Sequence, residues 1–177
     1  MAMEQGSLTI RRLDRLTETA IDQLVAVLLD CVEGGASVGF MNSLDAAKAG
    51  AFWRGLAPAV AAGHRVLLVA EDADGIVGTV QVVLNLPDNQ PHRADITKML
   101  VHRRGRKRGI GFGLMRAAEN EARAAGRSLL VLDTVTGSDA DRLYRRLGWA
   151  PAGTIPEYAL MPDGGLISTT FFYRKLS

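Results

Sequence analysis

The chain has 177 residues, 47% hydrophobic and 23% charged, enough to bury the core of one ordinary domain. Its 21 basic residues are nearly matched by 19 acidic ones, and the resulting net charge of +2 does not describe a protein that coats nucleic acid. The lone cysteine, Cys31, excludes an intrachain disulfide and argues against a cysteine metal site, and no apolar run reaches membrane length.

Residues 8–13 alternate weakly and predict a first strand. From Thr17 onward Ile21, Leu24, Val25, Leu28 and Val32 recur at helical spacing, until Gly34 and Gly35 stop the helix. Cys31 falls on that helix as a small buried side chain. GGASVGF (34–40) reads as a flexible segment, and Ser43 as the N-cap of an alanine-rich helix over 46–62. Phe52, Leu56 and Val60 form its apolar side, and Pro58 predicts a kink or a second short helix.

Residues 65–70 and 76–86 flank the turn signal DADG and read as a hairpin. After the loop PDNQPH, ADITKMLV (94–101) is a third strand. A long helix over 109–125 turns Ile110, Leu114, Ala118 and Ala122 inward. SLLVLD (128–133) is another strand, and Ser138 with Asp141 forms an S-x-x-D cap for a helix carrying Leu143 and Leu147. A closing hairpin joins 149–158 to 167–175. Trp53 and Trp149 read as packing anchors, and His64, His92 and His102 have no ligand spacing, so no metal is expected. The order β-α-α-β-β-β-α-β-α-β-β, with one strand–helix–strand crossover between hairpins, predicts a single α/β domain over 1–177 with a mixed sheet.

RRGRKRGIGFGLM (103–115) is the most informative stretch. Its basic run fits a nuclear-localisation or nucleic-acid patch, the solvated end of a helix, or an anion cradle. No aromatic-studded strand is present to stack bases. A helix N-terminus repels cations unless an anion is bound there, because the macrodipole is positive at that end. Arg106, Gly109 and Gly111 fit R-x-x-G-x-G, which lets backbone N–H groups of a first helical turn approach a pyrophosphate. A P-loop would end in Gly-Lys-Ser/Thr, and a Rossmann turn would sit at the first strand–helix junction; neither holds.

The strand running into this turn, the turn itself, the helix GFGLM and the later LYRRLGW resemble the GNAT N-acetyltransferases along the whole chain. That resemblance implies a GNAT fold: a mostly antiparallel mixed sheet, a central parallel strand pair splayed at the cofactor site, and helices on both faces. It implies acetyl-CoA as co-substrate, with Met99, Leu100 and Val101 pairing with the pantetheine arm. Arg106, Lys107, Arg108, Gly109, Ile110, Gly111, Phe112 and Gly113 would cradle the pyrophosphate. Many relatives carry Asn seven residues before the helix tyrosine; here that position is Gly137, so the contact is either lost or taken over by a backbone group or by the neighbouring Ser138. GGASVGFM, residues 93–101, LDT, GS (137–138) and PDG (162–164) also resemble the tabtoxin resistance acetyltransferases.

Acetylating an amine requires it neutral, and a lysine-like amine is neutral about once in a thousand molecules at pH 7, so a base or water chain matters. A stabilised oxyanion and a proton for the departing thiolate complete the requirement. Tyr144 occupies the position the family commonly uses as general acid, or else is a core tyrosine. Asp95 opens one strand of the parallel pair and Asp133 ends the other, so two carboxylates converge to hold and deprotonate an ammonium, unless each is a turn or cap residue. Ser37 and Phe40 are expected on the acceptor side, as loops after the first helix are in this family.

The expected function is direct acetyl transfer to the amine of a small amino-acid-like molecule or toxin. A protein N-terminal or lysine acetyltransferase, a non-catalytic acyl-CoA sensor and a small nucleic-acid binder stand as alternatives. The resemblance also admits a homodimer. MAMEQGSLTI lacks the apolar stretch of a signal peptide, which makes the cytoplasm the expected compartment, without nucleic-acid or membrane partners.

Overall fold

A computed structural model describes residues 8–176, so most of the segment read for a signal peptide lies outside the described residues. The elements follow the predicted order: β1 (Thr9–Leu13), α1 (Glu18–Glu33), α2 (Ala46–Ala61), β2 (Arg65–Asp72), β3 (Gly75–Val83), β4 (Arg93–Val101), α3 (Ile110–Ala124), β5 (Leu129–Val135), α4 (Asp139–Arg146), β6 (Ala150–Leu160) and β7 (Leu166–Lys175). All seven strands join one sheet in the order β1-β2-β3-β4-β5-β7-β6. Every neighbouring pair is antiparallel except β4 with β5. The α/β GNAT fold expected from the sequence is therefore the fold found.

β2 is apolar from Val66 to Ala70 because it is covered on both faces there. Val66, Leu68 and Ala70 pack with Ile110, Leu114 and Ala118 of α3, whereas Leu67 and Val69 pack with Leu24, Leu28 and Trp53 of α1 and α2. Each such fully buried aliphatic side chain contributes about 1.5–3 kcal/mol from area removed from water. Both tryptophans are buried, as the anchor reading required. The Trp149 indole N–H donates to Oε1 of the fully buried Glu119 at 3.1 Å, and Arg174 pairs with the same carboxylate.

Four local readings change. Asp45, not Ser43, caps α2, its Oδ1 accepting from the Lys48 N–H at 2.8 Å. Pro58 does not start a second helix; α2 runs through it, and it sits in the last turn, where few residues follow the lost hydrogen bond. Phe52 and Leu56 do not form the buried face of that helix, which Ala49, Trp53 and Val60 supply. Asp133 does not end its strand: β5 runs on to Val135, with Asp133 paired to Phe171.

Candidate functional site

The basic run is mostly neutralised by the fold's own acids. Arg103 pairs with Asp30 and, at 2.7 Å, with Glu33; Arg104 and Arg108 both reach Asp72. Lys107 and Arg106 form no carboxylate pair among the described residues, and Arg106 donates from Nε to the Val101 carbonyl at 3.4 Å. Lys107 has φ +62°, and Gly109, the N-cap of α3, has φ +76° with no side-chain cap. The first intrahelical bond runs from Gly113 N–H to the Gly109 carbonyl at 3.0 Å, so the N–H groups of Ile110, Gly111 and Phe112 precede it without helical partners. A Cβ on Gly109 would meet nothing within 4 Å, so the backbone there is open to a ligand. This terminus can hold an anion by backbone donors, helix dipole and Lys107. Gly111 and Gly113 serve packing as well: Cβ atoms there would lie 3.1 Å from Leu143 Cδ2 and 2.7 Å from Ile10 Cδ1. Phe112 is exposed, with Arg116 over its ring.

The parallel pair β4–β5 holds register at only three positions, Arg93↔Leu129, Ala94↔Leu130 and Asp95↔Val131. Beyond Asp95 the strands part, because β4 carries a bulge. Between Thr79↔Leu100 and Gln81↔Thr97, one residue of β3 faces Lys98 and Met99 together, and Lys98 sits at φ +52°. β5 follows β7 instead. Past the bulge, Leu100 and Val101 pair with Thr79 and Gly78 of β3, and with Met99 before them they carry the chain into the anion-holding turn. Met99 Sδ lies 3.6 Å from where a Gly111 Cβ would stand, which closes β4 onto the start of α3.

A cavity of about 580 Å³ opens where the strands part, lined by both predicted carboxylates together with Arg65, Gln81, Arg93 and Lys98. Asp95 is ion-paired to Arg93, whose guanidinium also donates to Gln90. Burial raises the Asp133 carboxyl above the ordinary carboxylate range, the Lys98 charge opposes that shift, and Asp95 adds to it. Burial lowers the Lys98 ammonium, and Arg65 lowers it further. Phe52 also lines the cavity, with Lys98 Nζ 5.7 Å from its ring centre.

Tyr144 is buried on α4, its ring 6.1 Å from Trp149 and 5.9 Å from Phe172. Desolvation drives its hydroxyl well above the usual phenol range, and the Asp133 charge pushes the same way. Ser138 caps α4, its hydroxyl oxygen accepting from the Asp141 N–H at 3.2 Å, and Thr134 Oγ1 lies 3.5 Å from the same oxygen. Gly137 has φ +74°, and its N–H donates to Asp141 Oδ2 at 2.9 Å.

Ser37 and Phe40 do not line the cavity. The Ser37 hydroxyl donates to the Leu160 carbonyl at 3.1 Å, and the Asn42 N–H donates to the Pro162 carbonyl at 2.9 Å, pinning this loop to the β6–β7 turn. Phe40 meets Phe52 edge-on at 5.2 Å and touches the site through it. Arg65, Gln81 and Lys98 escaped the sequence reading; only their polarity within apolar strands could have marked them. Among the described residues no group of His, Cys, Asp and Glu could hold a metal ion, and no helix is long and apolar enough to cross a membrane. Cys31 is buried, its thiol pushed up to about 11, chiefly by desolvation.

A profile of the acetyltransferase (GNAT) domain matches residues 63–151. Among solved structures, an N-acetyltransferase from Staphylococcus aureus Mu50 is 17% identical at a TM-score of 0.80, covering 97% of this chain and 100% of that one. A Salmonella typhimurium structure described with its cofactor acetyl-CoA is 19% identical, TM-score 0.77, covering 96% and 94%. The ribosomal-protein-alanine N-acetyltransferase from Brucella melitensis is 22% identical, TM-score 0.78, covering 95% and 99%.

Proposed function

Because the chain belongs to the GNAT acetyltransferase family, we propose that it moves an acetyl group from acetyl-CoA directly to the amine of a small amino-acid-like acceptor. The observation that carries this reading is the parting of β4 from β5 after three registered positions. It places an anion-holding helix terminus on one side of the gap and a cavity with two carboxylates on the other. The open backbone at Gly109 and the spare N–H groups after it fit a pyrophosphate. Acetyl-CoA, when bound, supplies the acyl group as a thioester. Ile110, Gly111 and Phe112 hold the cofactor through backbone N–H groups, Lys107 and Arg106 add charge, and Met99 to Val101 offer backbone along its arm.

Asp95, already paired to Arg93, orients the acceptor ammonium, and Asp133 takes its proton. A carboxyl raised by burial is the better base of the two near neutral pH. The amine nitrogen bonds to the acetyl carbon as the carbon–sulfur bond breaks, Tyr144 gives its hydroxyl proton to the departing sulfur, and the second proton shed by the nitrogen as the amide forms returns to the tyrosinate, leaving amide, free thiol and one proton on Asp133. Burial keeps Tyr144 protonated at neutral pH, so the proton is in place to be drawn off by the charge developing on sulfur. The likeness of GGASVGFM, LDT and PDG to the tabtoxin resistance acetyltransferases supports a small acceptor, as does the modest cavity volume.

The test is thiol release from acetyl-CoA over a panel of free amino acids, β-lactam amino-acid toxins, polyamines and peptides. Turnover with free amino acids or toxins supports the reading. Turnover confined to peptides replaces it with a protein acetyltransferase, and CoA binding without turnover replaces it with a sensor.

A further inference from the structure

The acceptor cavity holds three cations, Arg65, Arg93 and Lys98, against two carboxylates. Arg93 is satisfied by Asp95 and Gln90. The other two cations are not balanced in this way. Arg65 has no carboxylate partner among the described residues; Nη1 donates to the Gln81 side-chain oxygen, and the buried Nε has no partner. Gln81 is itself fully buried, and its Nε2 also lacks a hydrogen-bond partner. Lys98 forms no ion pair within 4 Å among the described residues; Gly39 and the Phe52 ring lie beside its ammonium.

A fully buried amide without an acceptor, as at Gln81, costs free energy, half-buried charges without a counter-ion add to that cost, and a ligand that completes such an arrangement relieves it. The three residues come from neighbouring strands. Gln81 is registered with Leu67, two residues along β2 from Arg65, and with Thr97, next to Lys98. Together they present guanidinium, amide and ammonium donors to one volume and no acceptor beyond the oxygen that Gln81 already gives to Arg65.

We propose that Arg65, Gln81 and Lys98 form an anion subsite that binds the carboxylate of the acceptor, so that the substrate is an amino acid held by its acid group with its amine toward Asp133. This rests on the acetyltransferase reading above. β2 and β5 are three strand spacings apart, about 14 Å. The long Arg65 and Lys98 side chains shorten that gap to the scale of a small molecule. The same donors would discriminate against amines lacking the acid, because a polar site rejects an analogue that leaves its buried groups unpaired.

The experiment compares each free amino acid of a panel with its methyl ester in the intact protein and in Arg65→Gln and Lys98→Met. Both kcat/KM and the rise in melting midpoint at saturating ligand are read. The expected result is a preference for the free acid of about tenfold or more, the worth of one charged hydrogen bond, falling toward one in both variants. The melting shift given by the acid, absent with the ester, should fall with it. Acids and esters used equally by the intact protein would overturn the subsite and leave the acetyltransferase reading standing. A preference unchanged in both variants would overturn the assignment to these residues. If no amine is acetylated, the melting shifts decide alone: acid-selective binding lost in both variants supports the subsite while the transfer reading fails, and its absence overturns it.

Discussion

Arg104 grips Asp72 with a single nitrogen, Nη1 donating to both carboxylate oxygens at 2.7 Å. Arg108 joins the same carboxylate at 3.1 Å, so the most basic stretch of the chain is largely a clamp holding the turn between β4 and α3 against the β2–β3 hairpin. In the proposed reading, cofactor binding is left to backbone N–H groups, Lys107 and Arg106.

The clamp has a pH signature. Arg104 holds the Asp72 carboxyl below its ordinary value of 3.8. A depressed carboxylate contributes stability above that value and loses it as pH falls through the native pKa. Asp72→Asn should melt lower than the wild type at pH 7, and thermal scans should show the gap closing below about pH 3.8.

Tyr144→Phe keeps the ring between Trp149 and Phe172 and removes only the hydroxyl. Loss of a general acid lowers kcat by about 10²–10⁴-fold, with the KM for acetyl-CoA changed less than about twofold. Unchanged kcat in steady-state assays would remove Tyr144 from the reaction.

Asp133 is raised above 3.8 mainly by burial. A raised carboxylate is most stabilising when protonated and becomes a burden as pH climbs through its native pKa. Asp133→Asn should therefore melt higher than the wild type at pH 7, with the gain vanishing toward pH 3.8, while kcat drops. Paired melting and kinetic measurements test this trade of stability for function.

Gly105 is buried, and a Cβ there would sit 2.5 Å from Val77 Cγ2 and 2.9 Å from Ile110 Cδ1. Gly105→Ala should cost about 1–3 kcal/mol by overpacking, read as a lower urea midpoint. Gly153→Ala, with no atom within 4 Å of the added carbon and no positive φ, is the control expected near wild type.

Local chemistry settled much of this protein before any contact was seen. Apolar spacing located the elements that bury a face, such as α1, α3 and the strands β2 to β5, and cap and turn signals located the rest; β6 is exposed along nearly its whole length. Gly109 after a strand marked an open helix terminus, and Ser138 with Asp141 marked the start of α4. These features depend on residues a few positions apart. Asp95 and Asp133 were both named from the chain, but it is the short register Asp95↔Val131, with Asp133 two residues further along β5, that brings them to one cavity.

What the tertiary structure decided depends on register between distant strands. The two-against-one bulge at Lys98 and Met99 parts β4 from β5, and no local spacing announces it. Whether Asp133 capped a turn or faced a cavity turned on β5 following β7 for two more residues. Ser37 proved to be a tether to Leu160, 123 residues away. Arg65, Gln81 and Lys98, each an ordinary polar residue in its own strand, become an unbalanced cluster only when three strands align. The anion-holding terminus was legible in the sequence because it is made of local backbone; the cavity is built across the sheet, and only the folded chain assembles it.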